Sequence, residues 1–258
     1  MDLDLAGRAV LITGGTDGLG LALAKRLAAE GASVAVCGRD TERVSSAEAA
    51  LRETGGDALA QRADVTRPEE LQAFVDAALA RWGRIDGVVH NAGRASGGPI
   101  ESIEDATWDS DFQLKLMAAV RLTRLVLPRL REAKGSILFT LAIAAKAPGA
   151  SSEPSSVTRA AGMALMKALS KELAPDGVRA NAVLIGLIES GQWVRAAVSA
   201  GQPVEQFYER FAKDAAIPMG RFGRADEFAD LGCFLLSARA SYLTGVAINL
   251  DGGLSPAV

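Results

Sequence analysis

AVLITGGTDGLGLALAKRLAAEG, residues 9–31, decides the fold. AVLIT, from Ala9, is a short continuous apolar run of the kind that makes a strand buried on both faces. From Leu19 onward apolar residues recur at helical spacing, and Gly31 is a natural C-terminal stop. Between the two lies TGGTDGLG, Thr13 to Gly20. A glycine-rich turn directly after a strand and opening a helix lets backbone approach a dinucleotide closely, with the helix N-terminus facing the pyrophosphate. Gly14, Gly18 and Gly20 give the tight turn; Thr16, Asp17 and Leu19 sit among them.

The same strand-to-helix alternation continues outward. SVAVC from Ser33, ALAQRADV, GVVH from Gly87, SILFTL, VRANAVLI and AINL supply further strands. Helices are expected between them: one over TERVSSAEAALRETG with Thr41 as N-cap, and one with Pro68 in its first turn followed by acidic residues, a favourable dipole arrangement. A long helix over 107–133 should bend near Pro128, and another spans 155–174. This alternation predicts an α/β fold: a Rossmann-type, doubly wound parallel sheet of about seven strands with right-handed crossovers and helices on both faces. The 258 residues suit a single domain, 1–258. Only 189–219 breaks the rhythm. It follows the sixth strand, and ligands in open α/β sheets bind outside the carboxyl ends of strands, so it is a candidate substrate lid.

Composition narrows the function. Hydrophobic residues make up 49% and aromatics only 5%, which fits an aliphatic core between a sheet and its covering helices. The net charge of −3, without a basic stripe, argues against a nucleic-acid binder. No apolar stretch is long enough to span a bilayer, and the first residues lack the basic region and apolar run of a signal peptide. Cys37 and Cys233 have no motif spacing and read as reduced thiols of a cytoplasmic protein. No Cys or His cluster has metal-ligand spacing.

Four motifs in order give the chain a resemblance to the short-chain dehydrogenase/reductase family along essentially its whole length. TGGTDGLG resembles the family's TGxxxGxG, and HNAG, with Asn91, Ala92 and Gly93, its NNAG. Asp64 and Val65 resemble its adenine-contacting turn, and YLTGVAINLDGG its C-terminal strand. The resemblance implies a nicotinamide cofactor, a small-molecule substrate, and a homodimer or homotetramer pairing helices 107–133 and 155–174. After the second strand, Gly38 stands where an NAD-binding acid would be and Arg39 follows, placed to meet a 2′-phosphate through a charge-assisted fork. NADP(H) is therefore favoured over NAD(H), although Asp17 would repel a phosphate. Gly186, Ile188 and Ser190, after the sixth strand, complete the cofactor side; Ser190 stands where a Thr usually meets the carboxamide.

The catalytic positions depart from that pattern. The resemblance implies a Tyr as proton donor, a Lys holding the ribose, a Ser orienting the substrate oxygen and an Asn on the long helix. Ser155, Arg159, Ala142 and Lys115 stand in those places. A Ser hydroxyl is far less acidic than a phenol and reaches less far, so Ser155 is no simple replacement and is also placed to be the N-cap of its helix after Pro154. Arg159 can bind ribose hydroxyls but cannot donate its proton. Lys115 adds a titratable cation; beside Arg159, repulsion and burial would lower its pKa and suit it to general acid catalysis, whereas on a solvent face it would do nothing. His90 is expected to be structural. Trp193 and Tyr208 are expected to pack within the lid.

Two functions follow. One is an NADP(H)-dependent oxidoreductase with a rearranged proton donor, reducing a carbonyl or, more easily, an enoyl group whose enolate the positive charge would support. The other is a redox-silent relative that keeps the nucleotide pocket and serves as a subunit, a sensor, or a non-redox enzyme such as a lyase or cyclase.

Overall fold

Seven parallel strands form one sheet in the order β3-β2-β1-β4-β5-β6-β7 in the computed structural model, which describes residues 2–258. They are β1 (Ala9–Thr13), β2 (Ser33–Gly38), β3 (Ala58–Arg62), β4 (Gly87–His90), β5 (Ser136–Ala142), β6 (Arg179–Ile185) and β7 (Ala247–Leu250). The strands in the centre, β1, β4 and β5, are buried almost throughout, which is why they read as unbroken apolar runs; the edge strands β3 and β7 are half-buried.

The apolar faces of the helices bury against the two sides of the sheet. On one side, α1 (Gly18–Ala29), α2 (Thr41–Arg52) and α9 (Ala225–Leu236) contribute Leu23, Leu27, Leu51 and Phe228 to a single cluster. On the other, α3 (Pro68–Trp82), α5 (Ala118–Ala133) and α6 (Ser155–Glu172) contribute Phe74, Leu122, Leu130 and Met166. Fully burying one such side chain is worth about 1.5–3 kcal/mol. No helix among the described residues is long and apolar enough to cross a membrane.

Local details differ from expectation at three helix positions. Asp40, rather than Thr41, caps α2: its carboxylate accepts from the Arg43 amide at 3.1 Å. The carboxylate reaches the amide of the third helical residue, and Thr41 is already helical. The long helix is interrupted well before Pro128. It runs as α4 (Asp105–Phe112), a π-helical turn at Gln113–Met117, and α5, which continues through Pro128. Ser155 begins α6 but makes no side-chain cap, because its hydroxyl is engaged elsewhere.

Strand order reverses between β1 and β4, and the turns after these strands open side by side at the carboxyl edge. This is the place where an open α/β sheet binds ligands. Ala142 pairs with Ile185, which brings the ends of β5 and β6 to the same edge. The stretch after β6 folds as α7 (Gly191–Ser199) and α8 (Val204–Asp214). An aromatic cluster ties these helices together: Trp193 meets Phe222 edge-on at 5.6 Å, and Tyr208 lies 4.8 Å from Phe222.

Candidate active site

The glycine turn is a cradle that side chains would fill. Gly14 and Gly18 have φ of +64° and +52°, a region that favours glycine. A Cβ on Gly20 would come 2.4 Å from the Gly14 carbonyl oxygen and 2.5 Å from the Asn91 amide nitrogen. Asn91 fixes the turn to β4 by donating from Nδ2 to the Thr13 and Gly14 carbonyls, at 3.1 and 3.0 Å. A cavity of about 890 Å³ opens above it. Gly14, Thr16, Gly18 and Leu19 line one wall, Asn91, Ala92 and Gly93 the next, and Gly186, Ile188 and Ser190 a third. Its volume and bare-backbone floor fit a dinucleotide.

At the far end the wall is charged. Arg39 and Val65 line it, together with Asp40 and Arg43. Arg39 is 61% exposed, with Nη1 3.9 Å from Asp64, a loose pairing that leaves the fork available. Burial raises the Asp64 carboxyl, but the Thr66 amide and hydroxyl, then Arg39 and Arg67, outweigh it and hold the group below the usual range. Asp17 does not stand bare against an anion. Its Oδ1 accepts from the Gly18 amide at 2.7 Å, and its Oδ2 lies 3.5 Å from Arg43 and 3.6 Å from Arg195. The repulsion expected from the sequence is offset by these two arginines. Two expected cofactor residues, Gly20 and Asp64, lie outside the cavity wall; Gly20 packs against the glycine turn, and Asp64 holds the loop after β3 by accepting from the Thr66 amide.

At the other end is a buried polar network. Asp111, on α4, is fully buried. Its Oδ2 accepts from the Thr158 hydroxyl at 2.7 Å and from Lys115 Nζ at 2.9 Å, and its Oδ1 lies 2.7 Å from the same ammonium. Lys115, in the π-helical turn, is only 2% exposed and also donates to Ser155 Oγ at 2.6 Å. Ser155 Oγ accepts a second hydrogen bond from the Ser96 amide at 2.9 Å. Burial pushes Lys115 down to about 8; the Asp111 hydrogen bond opposes it, and Arg159 and Arg94 add repulsion. Arg159 donates from Nη1 to the Thr140 carbonyl at 2.6 Å, packs against Gly93 and lines the cavity. Burial lowers its pKa, and Asp111 partly restores it.

These positions refine the sequence expectations. Lys115 faces inward, not to solvent, but it lines a small space behind the main cavity with Thr140, His90 and Arg159. Ser155 and Ala142 line the main cavity itself, so Lys115 reaches it only through Ser155. His90 is structural: its Nε2 pairs with Thr123 Oγ1 at 2.9 Å, and burial drives its pKa down to about 3. Tyr208 packs in the aromatic cluster around Phe222, where burial and then Glu189 raise its pKa. Asp111, Thr158, Ser96 and Arg94 were not singled out from the sequence. Asp111 had a signal, its i,i+4 spacing to Lys115 on one helix face; the other three had none.

The chain matches the family model described as enoyl-(acyl carrier protein) reductase over residues 14–255. It is 37% identical to a putative ketoacyl reductase of the monensin polyketide synthase from Streptomyces virginiae, over 96% of this chain and 97% of that one. Among solved structures, it resembles an NADPH-bound short-chain oxidoreductase from Pseudomonas aeruginosa described as containing an atypical catalytic center. That match has a TM-score of 0.93 and 35% identity, covering 99% of both chains. L-sorbose reductase from Gluconobacter frateurii, complexed with NADPH and L-sorbose, superimposes with a TM-score of 0.95 at 32% identity, covering 100% of both chains.

Proposed function

The chain belongs to the short-chain dehydrogenase/reductase family, and we propose that it is an NADP(H)-dependent reductase of a small carbonyl or enoyl compound with a rearranged proton donor. The cofactor supplies the hydride. Gly14, Gly18 and the α1 N-terminus would hold its pyrophosphate, Arg39 and Arg43 its 2′-phosphate, and Arg159 and Ser190 its nicotinamide end.

One observation carries the reading. Ser155 Oγ accepts two hydrogen bonds, from Lys115 Nζ and the Ser96 amide. A hydroxyl has two acceptor sites and one proton, so the Ser155 proton is left to donate, and Ser155 lines the cavity. As negative charge builds on the substrate oxygen, Ser155 passes its proton outward and takes one from the Lys115 ammonium. The serine needs no acidity of its own, because the proton comes from a lysine held near neutrality. Asp111, fixed by Thr158, keeps that ammonium in place. Arg159 and Arg94 add positive charge beside a developing enolate or alkoxide.

The segment 189–219 serves as the lid, with Trp193 lining the cavity from α7. A dimer or tetramer through α4–α5 and α6 belongs to the same reading; Val157 on α6 is 43% exposed, an apolar position that such pairing would cover. Light scattering tests the assembly. The function is tested by mixing protein and NADPH with a panel of ketones and enones and following nicotinamide absorbance. Turnover that Lys115→Met abolishes supports the reading. Tight NADPH binding without turnover on any substrate favours a redox-silent relative.

A further inference from the structure

We propose that Ser155 is also an acyl acceptor: with Lys115 neutral, the two form a nucleophile–base pair that takes the acyl group of a small ester or thioester and passes it to water. This uses residues of the proposed reduction but neither NADPH nor a hydride. The geometry meets the requirement for an activated serine, a base within hydrogen-bond reach and a third group orienting that base. Lys115 Nζ lies 2.6 Å from Ser155 Oγ. Its other contacts are the two Asp111 oxygens, at 2.7 and 2.9 Å, and Asp111 is held by the Thr158 hydroxyl at 2.7 Å. A neutral lysine has two N–H bonds and one lone pair. The carboxylate occupies the N–H bonds, which leaves the lone pair directed at the serine hydroxyl.

Burial favours loss of the Lys115 proton, and the Asp111 hydrogen bond opposes it. Arg159 on α6 and Arg94 after β4 repel it, His90 on β4 stays neutral, and Asp111 alone attracts it. Ser155 lines the main cavity while the Lys115 side chain, 2% exposed, stands directly behind it, so an ester reaches the nucleophile from the cavity with the base already in place. In the step itself, Ser155 Oγ bonds to the carbonyl carbon and its proton moves to Lys115 Nζ. The carbon–leaving-group bond then breaks, and the alcohol or thiol leaves with that proton. Water, deprotonated by Lys115, attacks the acyl-serine and releases the acid, restoring Ser155. Arg94 and Arg159, lining the same cavity, supply positive charge for the oxyanion.

The test uses the intact protein without NADPH and p-nitrophenyl acetate as probe. The expected result is a burst of nitrophenolate and one acetyl group mapped by mass spectrometry to Ser155. The rate should rise about tenfold between pH 7 and 9, since Lys115 titrates at about 8. Ser155→Ala should remove both burst and acetyl group while retaining NADPH binding. Acetylation confined to surface lysines, or a burst undiminished in Ser155→Ala, overturns the proposal; mapping on the unaltered chain needs no variant to fold. The proposed reduction depends on protonated Lys115 and falls over the same pH interval, so the two activities fail separately.

Discussion

Lys115 Nζ donates to Ser155 Oγ at 2.6 Å although the two residues are 40 apart in the chain. The bond joins the π-helical turn to the first residue of α6. π-Helical turns are rare and concentrate at functional sites, and this one carries Lys115, which meets the cavity through the Ser155 hydroxyl. Removing the relay should therefore separate chemistry from binding. Ser155→Ala is expected to lower kcat for reduction by about 10²–10⁴-fold, with the NADPH dissociation constant within about twofold. Steady-state kinetics and fluorescence titration check this.

The pH profile of reduction should show one loss, centred near 8. Lys115 holds its proton below that value and loses it above, because burial has brought it down from 10.5. Activity is thus full on the acid side and falls as pH rises. No inflection near 6.5 should arise from His90, whose burial keeps it neutral down to about 3. Initial rates between pH 5 and 10 with saturating NADPH decide it.

Asp111→Asn removes the negative charge beside a buried ammonium. Breaking a buried pair on one side costs about 3–5 kcal/mol, so thermal unfolding should come markedly earlier. Without that carboxylate the ammonium is also less favoured, and the fall in activity should move to lower pH. A variant with wild-type stability and profile would remove Asp111 from its supporting role.

NADPH should bind more tightly than NADH, and Arg39→Ala should erase most of the difference. A hydrogen bond to a charged group contributes about 1.5–3 kcal/mol, or roughly 10- to 150-fold in affinity. Equal affinities in the unaltered protein would contradict the role of Arg39. Competition titration with both nucleotides measures it.

Gly20→Ala should damage the turn itself. The added carbon would lie 2.4 Å from the Gly14 carbonyl oxygen, and overpacking of this kind costs about 1–3 kcal/mol. A lower Tm with weakened NADPH binding is the expected outcome, measured by calorimetry with and without nucleotide.

The sheet, its strands and the glycine cradle were legible in the residues alone. These follow from local demands: apolar runs that must be buried, helices that need one apolar face, and turns that admit no Cβ. The sequence also marked Ser155, Arg159 and Lys115 as departures from the pattern that the family resemblance leads one to expect. It did not reveal their relationship. Whether Ser155 capped α6 or faced a ligand depended on which donor was nearer, and the Lys115 ammonium and Ser96 amide come from distant parts of the chain. Asp111 looked like one acidic residue among several on a helix until packing of α4 against α6 buried it beside Thr158. Only tertiary structure decided that the two departures, Lys115 and Ser155, form one hydrogen-bonded unit, because burial and long-range packing leave no periodic trace in the residues that undergo them.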